Sequence, residues 1–184
     1  MKIKFCGLNN LDSLMHACDL NADFAGFIFA EQSPRKVEPN FIAQLVDFNF
    51  CQTVPVSVFV NPSIQEVQQT IEILPNTILQ FHGDESPEFC ESFNVPFIKV
   101  LSMRAGVDFA LLEQQYASAW ALLLDTYHPT QAGGTGETFD WRLWPQDSQT
   151  KLILAGGLTV ENVANAIAQT RPYGVDVSGG VERD

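Results

Sequence analysis

Leu152-Ile153-Leu154-Ala155-Gly156-Gly157, then Thr159 ahead of Val160, Val163, Ala164 and Ile167, then Val175-Asp176-Val177-Ser178-Gly179-Gly180: this stretch decides the fold. A short β-rich apolar run ends in a glycine pair, a helical pattern follows, and a second apolar run ends in a second glycine pair. Near-continuous apolar strands separated by helices belong to a parallel sheet covered on its faces, because a strand buried on both sides has no polar side to alternate with.

Outward from there the same unit recurs. Apolar runs lie at residues 3–6, 24–29, 54–60, 77–81, 97–101 and 120–125; with 152–155 and 175–177 they make eight. Helix starts fall between them. Asn61-Pro62 sets a cap before a first-turn proline, Ser86-Pro87-Glu88 does the same before Phe89 and Phe93, and Thr159 opens the pattern quoted above. Eight such units predict an α/β protein with a closed (β/α)8 TIM barrel, the alternative being an open doubly wound sheet. With no linker and no low-complexity tract, residues 1–184 read as one domain. The eighth unit is short, since only residues 178–184 follow Val177. A further helix of about 20 residues is expected for a typical barrel of roughly 200–250 residues, and a barrel without it is expected to be marginal.

Composition narrows the function. A chain of 184 residues that is 46% hydrophobic and 17% charged has globular, not disordered, character. A net charge of −12 repels phosphate backbones, so no nucleic acid is expected as partner. An anionic ligand has to be held by local backbone amides and a few cations. Cys6, Cys18, Cys51 and Cys90 form no C-x-x-C pair, and His16, His82 and His128 are scattered, so neither a metal site nor a cofactor is expected. Met1-Lys2-Ile3-Lys4-Phe5 lacks a signal peptide's long apolar stretch, and no apolar run reaches the ~18 residues of a membrane span. The expectation is a cytoplasmic protein with free thiols and no membrane contact.

In such a barrel the active site lies at the carboxyl ends of the strands, which makes polar residues there informative. Alternation puts Lys4 and Cys6 on one face of the first run, Cys6 nearer the mouth. Taken alone, Cys6 reads first as a small buried hydrophobe. Asp125 closes the apolar run Ala121-Leu122-Leu123-Leu124, where a carboxylate is costly unless paired or working; the bland reading is a cap or loop hydrogen bond. The first and sixth strands are three steps apart around the ring, so Cys6 and Asp125 are expected to face each other across the mouth, and an acid and a base on opposite sides of one small molecule suit proton shuttling. Gly133-Gly134-Thr135-Gly136, Gly156-Gly157 and Ser178-Gly179-Gly180 follow the last three runs, and glycine pairs after strands seven and eight point to a phosphate site. Ser33-Pro34-Arg35 offers a stiffened loop with a guanidinium fork for a carboxylate, or a solvated arginine. His82, in Gln80-Phe81-His82-Gly83-Asp84-Glu85, either lines the mouth or holds its loop.

Taken together these segments resemble the phosphoribosylanthranilate isomerases. The resemblance is carried by Lys4-Phe5-Cys6-Gly7, Gly26-Phe27-Ile28-Phe29 with Ser33-Pro34-Arg35, Gln80-Phe81-His82-Gly83-Asp84-Glu85, Leu124-Asp125-Thr126, Gly133-Gly134-Thr135-Gly136 with Phe139-Asp140-Trp141, Leu154-Ala155-Gly156-Gly157-Leu158 and Asp176-Val177-Ser178. They stand in family order and cover almost the whole chain. The resemblance implies a cofactor-free Amadori rearrangement of N-(5-phosphoribosyl)anthranilate, a phosphosugar joined to anthranilate; the sequence leaves monomer and homodimer both open. It implies Cys6 as general base, Asp125 as general acid and Arg35 on the anthranilate carboxylate. Gly134, Thr135, Gly136, Gly156, Gly157, Ser178, Gly179 and Gly180 are expected on the phosphate, with His82 also lining the substrate. Two departures stand out: the family usually has serine where this chain has Gly179, and it continues into a last helix. For the chemistry, Asp125 has to hold a proton near neutral pH, which apolar surroundings favour. Cys6 has to reach the thiolate, so its pKa is expected to fall, Lys4 being either a helper or a structural ion-pair partner. The rival readings are another phosphosugar barrel, such as an epimerase, for which clustered metal ligands are missing, and a non-catalytic phosphate-binding barrel.

Overall fold

Eight short strands close into one parallel barrel in the order β1 to β8, with β1 hydrogen-bonded to β8. The computed structural model describes residues 1–126 and 138–182, so Gly133, Gly134, Thr135 and Gly136 lie outside the described residues. The strands are β1 (Lys2–Cys6), β2 (Phe24–Ile28), β3 (Val54–Phe59), β4 (Ile78–Phe81), β5 (Phe97–Met103), β6 (Ala121–Thr126), β7 (Leu152–Leu154) and β8 (Gly174–Val177). Each coincides with an apolar run to within one or two residues. The open doubly wound sheet is excluded.

The reason shows in β6, where all six residues are buried. Ala121 and Leu123 point inward, to Val56, Val58, Ile78, Ile98, Val100 and Ile153. Leu122 and Leu124 point outward, to Leu101, Leu152, Leu154 and Ala166. Both faces are apolar because both are covered. Fully burying one such leucine contributes about 1.5–3 kcal/mol.

The helices are α1 (Leu11–Asp19), α2 (Pro39–Leu45), α3 (Ile64–Ile73), α4 (Pro87–Glu91), α5 (Phe109–Gln115) and α6 (Val163–Thr170). Among the described residues, single 3-10 turns at Trp141–Leu143 and Gly179–Val181 follow β6 and β8. Ser86 caps α4 as expected. The start of α3 differs. Ser63, not Asn61, is its N-cap, in a capping box with Glu66 that satisfies two helix-end N–H groups at once. Asn61 instead adopts a left-handed φ of 48°. The helix after Thr159 begins at Val163, whose N–H donates to the Thr159 carbonyl. No helix among the described residues is long and apolar enough to cross a membrane.

Candidate active site

Strand alternation delivers one set of polar groups to the barrel interior and its carboxyl mouth. Lys4, only 1% exposed, donates to both oxygens of Asp176, at 3.0 and 2.9 Å. The parallel register sets the two opposite each other on β1 and β8. Burial works against the Lys4 charge, but Asp176 and Cys6 outweigh it and hold the ammonium above its ordinary pKa. Burial pushes the Asp176 carboxyl up against the pull of Lys4; nearby Asp125 adds to the push and His82 opposes it. Asp176 thus electrically links Lys4 to the pair Asp125 and His82.

Cys6 ends β1 beside Lys4, as alternation requires. A Cβ at Gly26 would lie 2.9 Å from Cys6 Sγ and 3.1 Å from Lys4 Nζ, so the missing side chain there leaves room for thiol and ammonium together. Burial pushes the Cys6 thiol above its ordinary value, while Lys4 and the Gly7 N–H pull it back. The direction is opposite to the expected fall. Lys4 is already neutralised by Asp176, so its charge does not overcome desolvation. Cys90 is a different case: burial drives its thiol to about 12, the environment of an inert structural cysteine.

Asp125 is the penultimate residue of β6, and its side chain is buried. Oδ1 accepts the Thr126 N–H at 2.7 Å, and Oδ2 lies 3.3 Å from His82 Nε2. The carboxyl therefore meets two polar partners, not the apolar surroundings expected of it. His82 does line the mouth, facing Asp125. Gly156 explains itself here: its φ is +84° and an added Cβ would lie 2.7 Å from Asp125 Oδ1. A Cβ on Gly180 would strike the Leu158 carbonyl, so the loops after β7 and β8 pack directly against each other.

Arg35 reaches the mouth over Gly7, whose added Cβ would lie 2.5 Å from Arg35 Cδ and 3.3 Å from Ser178 Oγ. Its fork is occupied. Nε and Nη2 donate to the two Glu182 oxygens, at 2.5 and 2.8 Å. The Glu182 hydrogen bond holds the guanidinium above its ordinary pKa. In a chain of net charge −12, Lys4, Arg35 and His82 are gathered on one acidic barrel's mouth.

The sequence pattern of the family described as N-(5'phosphoribosyl)anthranilate (PRA) isomerase matches residues 3–184. The chain belongs to that family. An N-(5'-phosphoribosyl)anthranilate isomerase of Nitrosococcus oceani is 46% identical over 182 residues, which cover 99% of this chain and 88% of that one. One of Pseudomonas putida is 44% identical over 187 residues, covering 100% and 89%. Among solved structures, the phosphoribosyl anthranilate isomerase of Thermus thermophilus aligns with a TM-score of 0.87 at 30% identity, covering 100% of this chain and 90% of that one. A further phosphoribosyl anthranilate isomerase, solved in complex with reduced 1-(o-carboxyphenylamino)-1-deoxyribulose 5-phosphate, aligns at 0.80 and 28% identity, with the same coverage.

For an N-(5'-phosphoribosyl)anthranilate isomerase, the departure at Gly179 falls in an informative place. A Cβ there would lie 3.0 Å from Arg35 Nη2 and 3.8 Å from Glu182 Oε2, so the substitution bears on the arginine fork as well as on the loop. Two of the isomerase's polar groups escaped sequence reasoning. Asp176 carried the same signal as Asp125, a charge within an apolar run. Glu182 carried none, because its partner is 147 residues away.

Proposed function

We propose that this isomerase converts N-(5-phosphoribosyl)anthranilate to 1-(2-carboxyphenylamino)-1-deoxyribulose 5-phosphate in tryptophan biosynthesis, with Asp125 as general acid and Cys6 as general base. The observation that carries the assignment is the pairing of a buried carboxyl against an imidazole, Asp125 with His82, in the same mouth as a thiol beside an ammonium, Cys6 with Lys4.

Asp125 gives a proton to the ribose ring oxygen, and the C1′–O bond breaks as the nitrogen lone pair forms the iminium. Cys6 as thiolate then takes the proton from C2′, and the freed electron pair neutralises the nitrogen, leaving an enolamine. Closing the cycle needs a proton at C1′ and loss of one from the 2′-hydroxyl; the Cys6 thiol and the Asp125 carboxylate hold and accept these, so both end as they began. The order suits the electrostatics. A thiol raised by burial is a poor source of thiolate before substrate binds, but a cationic iminium forming beside it favours the charged form. His82 stands where it can share the Asp125 proton.

The backbone of Gly156, Gly157, Ser178, Gly179 and Gly180 supports a phosphate seat, since glycine loops after strands seven and eight let N–H groups approach an anion. Gly134, Thr135 and Gly136 belong to the same proposal. Four free thiols suit a reducing cytoplasm. The test is loss of substrate fluorescence when freshly made phosphoribosylanthranilate meets the protein. A steady enzyme-dependent decay is expected; a trace indistinguishable from the protein-free blank overturns the proposal and favours a non-catalytic phosphate binder.

Arg35 is assigned to the anthranilate carboxylate, which has to displace Glu182 from the fork. The Arg35–Glu182 pair is partly exposed, and such pairs are worth about 0.2–1 kcal/mol, so displacement is easy. Arg35→Ala should raise KM about tenfold or more with little change in kcat, as loss of a charge-assisted bond of about 1.5–3 kcal/mol implies. Glu182→Gln should lower KM by no more than about fivefold, the ceiling set by that weak pair. Steady-state kinetics of both variants check this; an Arg35→Ala enzyme with unchanged KM removes the assignment.

A further inference from the structure

Beneath the loop that carries His82 lies a second buried ion pair, outside the mouth. Lys99 is in the middle of β5, between the outward-facing Phe97 and Leu101, so its side chain leaves the barrel interior. It is 3% exposed, and its partner Glu85 is 6% exposed. The ammonium has three acceptors. They are the carbonyl of Phe81 at 3.4 Å, the carbonyl of Gly83 at 2.6 Å and Glu85 Oε2 at 2.9 Å. Phe81 and Gly83 are the residues on either side of His82. Glu85 completes the grip by accepting the Gly83 N–H, at 3.1 and 2.9 Å, and the Asn61 N–H at 2.8 Å. Asn61 Oδ1 in turn accepts the Asp84 N–H, and a Cβ on Gly83 would collide with Asn61. Tyr116 donates to the Glu85 carbonyl at 2.8 Å, and its ring lies 5.6 Å from Lys99 Nζ.

A buried ion pair is not explained by stability. Its desolvation offsets much of its attraction, and well-packed apolar residues often serve as well. What apolar residues cannot do is take hold of a peptide carbonyl. The pair grips the backbone immediately before and after His82, whose Nε2 lies 3.3 Å from Asp125 Oδ2. We propose that Lys99, with Glu85 and Tyr116, is a positioning residue for the isomerisation: it fixes the backbone at Phe81 and Gly83 and so holds His82 Nε2 against the general acid. This rests on the acid–base reading of Asp125 and His82 given above.

A thermodynamic cycle tests it, with Lys99→Met made in the native enzyme and in His82→Asn. Turnover, KM, the pH profile of kcat and thermal unfolding are measured for each. Lys99→Met should lower kcat about tenfold with KM within about twofold, since small displacements of a catalytic contact cost turnover. Its kcat profile should change shape in the same way as that of His82→Asn. In the His82→Asn background Lys99→Met should cause no further loss. Tyr116→Phe, which deletes one hydroxyl, should act in the same direction by about two- to threefold, and it carries the test if Lys99→Met does not fold. A Lys99→Met loss of equal size in both backgrounds, or a reduced kcat with an unaltered pH profile, overturns the positioning role and leaves the acid–base reading standing. An unchanged kcat in His82→Asn alone overturns His82's part in that reading.

Discussion

Replacing Cys6 with alanine is expected to lower kcat by at least about 10²-fold, the usual size of a general-base contribution, with KM held within about twofold. The C2′ proton has one thiol to go to in the proposed mouth. Cys90 lies behind the barrel wall with its thiol pushed up to about 12, and Cys18 and Cys51 lie away from the mouth, so their alanine variants should turn over normally. The pH dependence has a definite sign. A base works deprotonated, so kcat/KM rises with pH through the Cys6 pKa of the free enzyme. Burial raises that thiol, so the rising limb should sit above the ordinary cysteine value and be absent from Cys6→Ala. The same shift bears on stability. A thiol whose pKa is higher folded than unfolded favours the folded state below the unfolded pKa, and that contribution is lost as pH rises through the folded one. Rate measurements on the single alanine variants decide the matter: near-native turnover in Cys6→Ala would end the proposed chemistry.

Asp125→Asn should have the larger effect, a loss of turnover of about 10²–10⁴-fold, because ring opening is the step that creates the electron sink for everything after it. The substitution is nearly isosteric. An amide oxygen can still accept the Thr126 N–H now held by Oδ1 at 2.7 Å, so the end of β6 keeps its geometry. What is lost is the transferable proton, and with it the carboxyl partner of His82 Nε2. Binding of a reduced product analogue should therefore stay within a few-fold of the native enzyme, as expected when only a transition-state interaction is removed. Analogue titration alongside single-turnover kinetics separates the outcomes. Equal losses of analogue binding and turnover would make Asp125 a structural residue.

The barrel was legible in the chain itself. Parallel strands covered on both faces must be apolar at every position, so eight such runs, separated by helix patterns, leave little choice of architecture. Strand periodicity also put Lys4 and Cys6 on one face and marked Asp125 as a charge at a strand end, because those signals are local. Helix starts were less secure: Ser63 displaced Asn61 as the cap of α3 because a capping box satisfies two N–H groups, whereas Asn61 was needed to bind the Asp84 N–H.

Partnership and balance were decided only by the tertiary structure. Lys4 meets Asp176 across 172 positions and Arg35 meets Glu182 across 147, and no spacing rule reaches so far. The barrel's closure between β1 and β8 makes the first of these pairs. The direction of the Cys6 shift followed from that pairing. A lysine two residues away suggests a lowered thiol, yet that lysine is neutralised by a carboxylate from the other end of the chain, and burial prevails. Periodicity states which residues are inside; whether a charge there is free to act depends on which other charge the fold has placed within 3 Å of it, and that is a property of three-dimensional proximity in a medium of low dielectric.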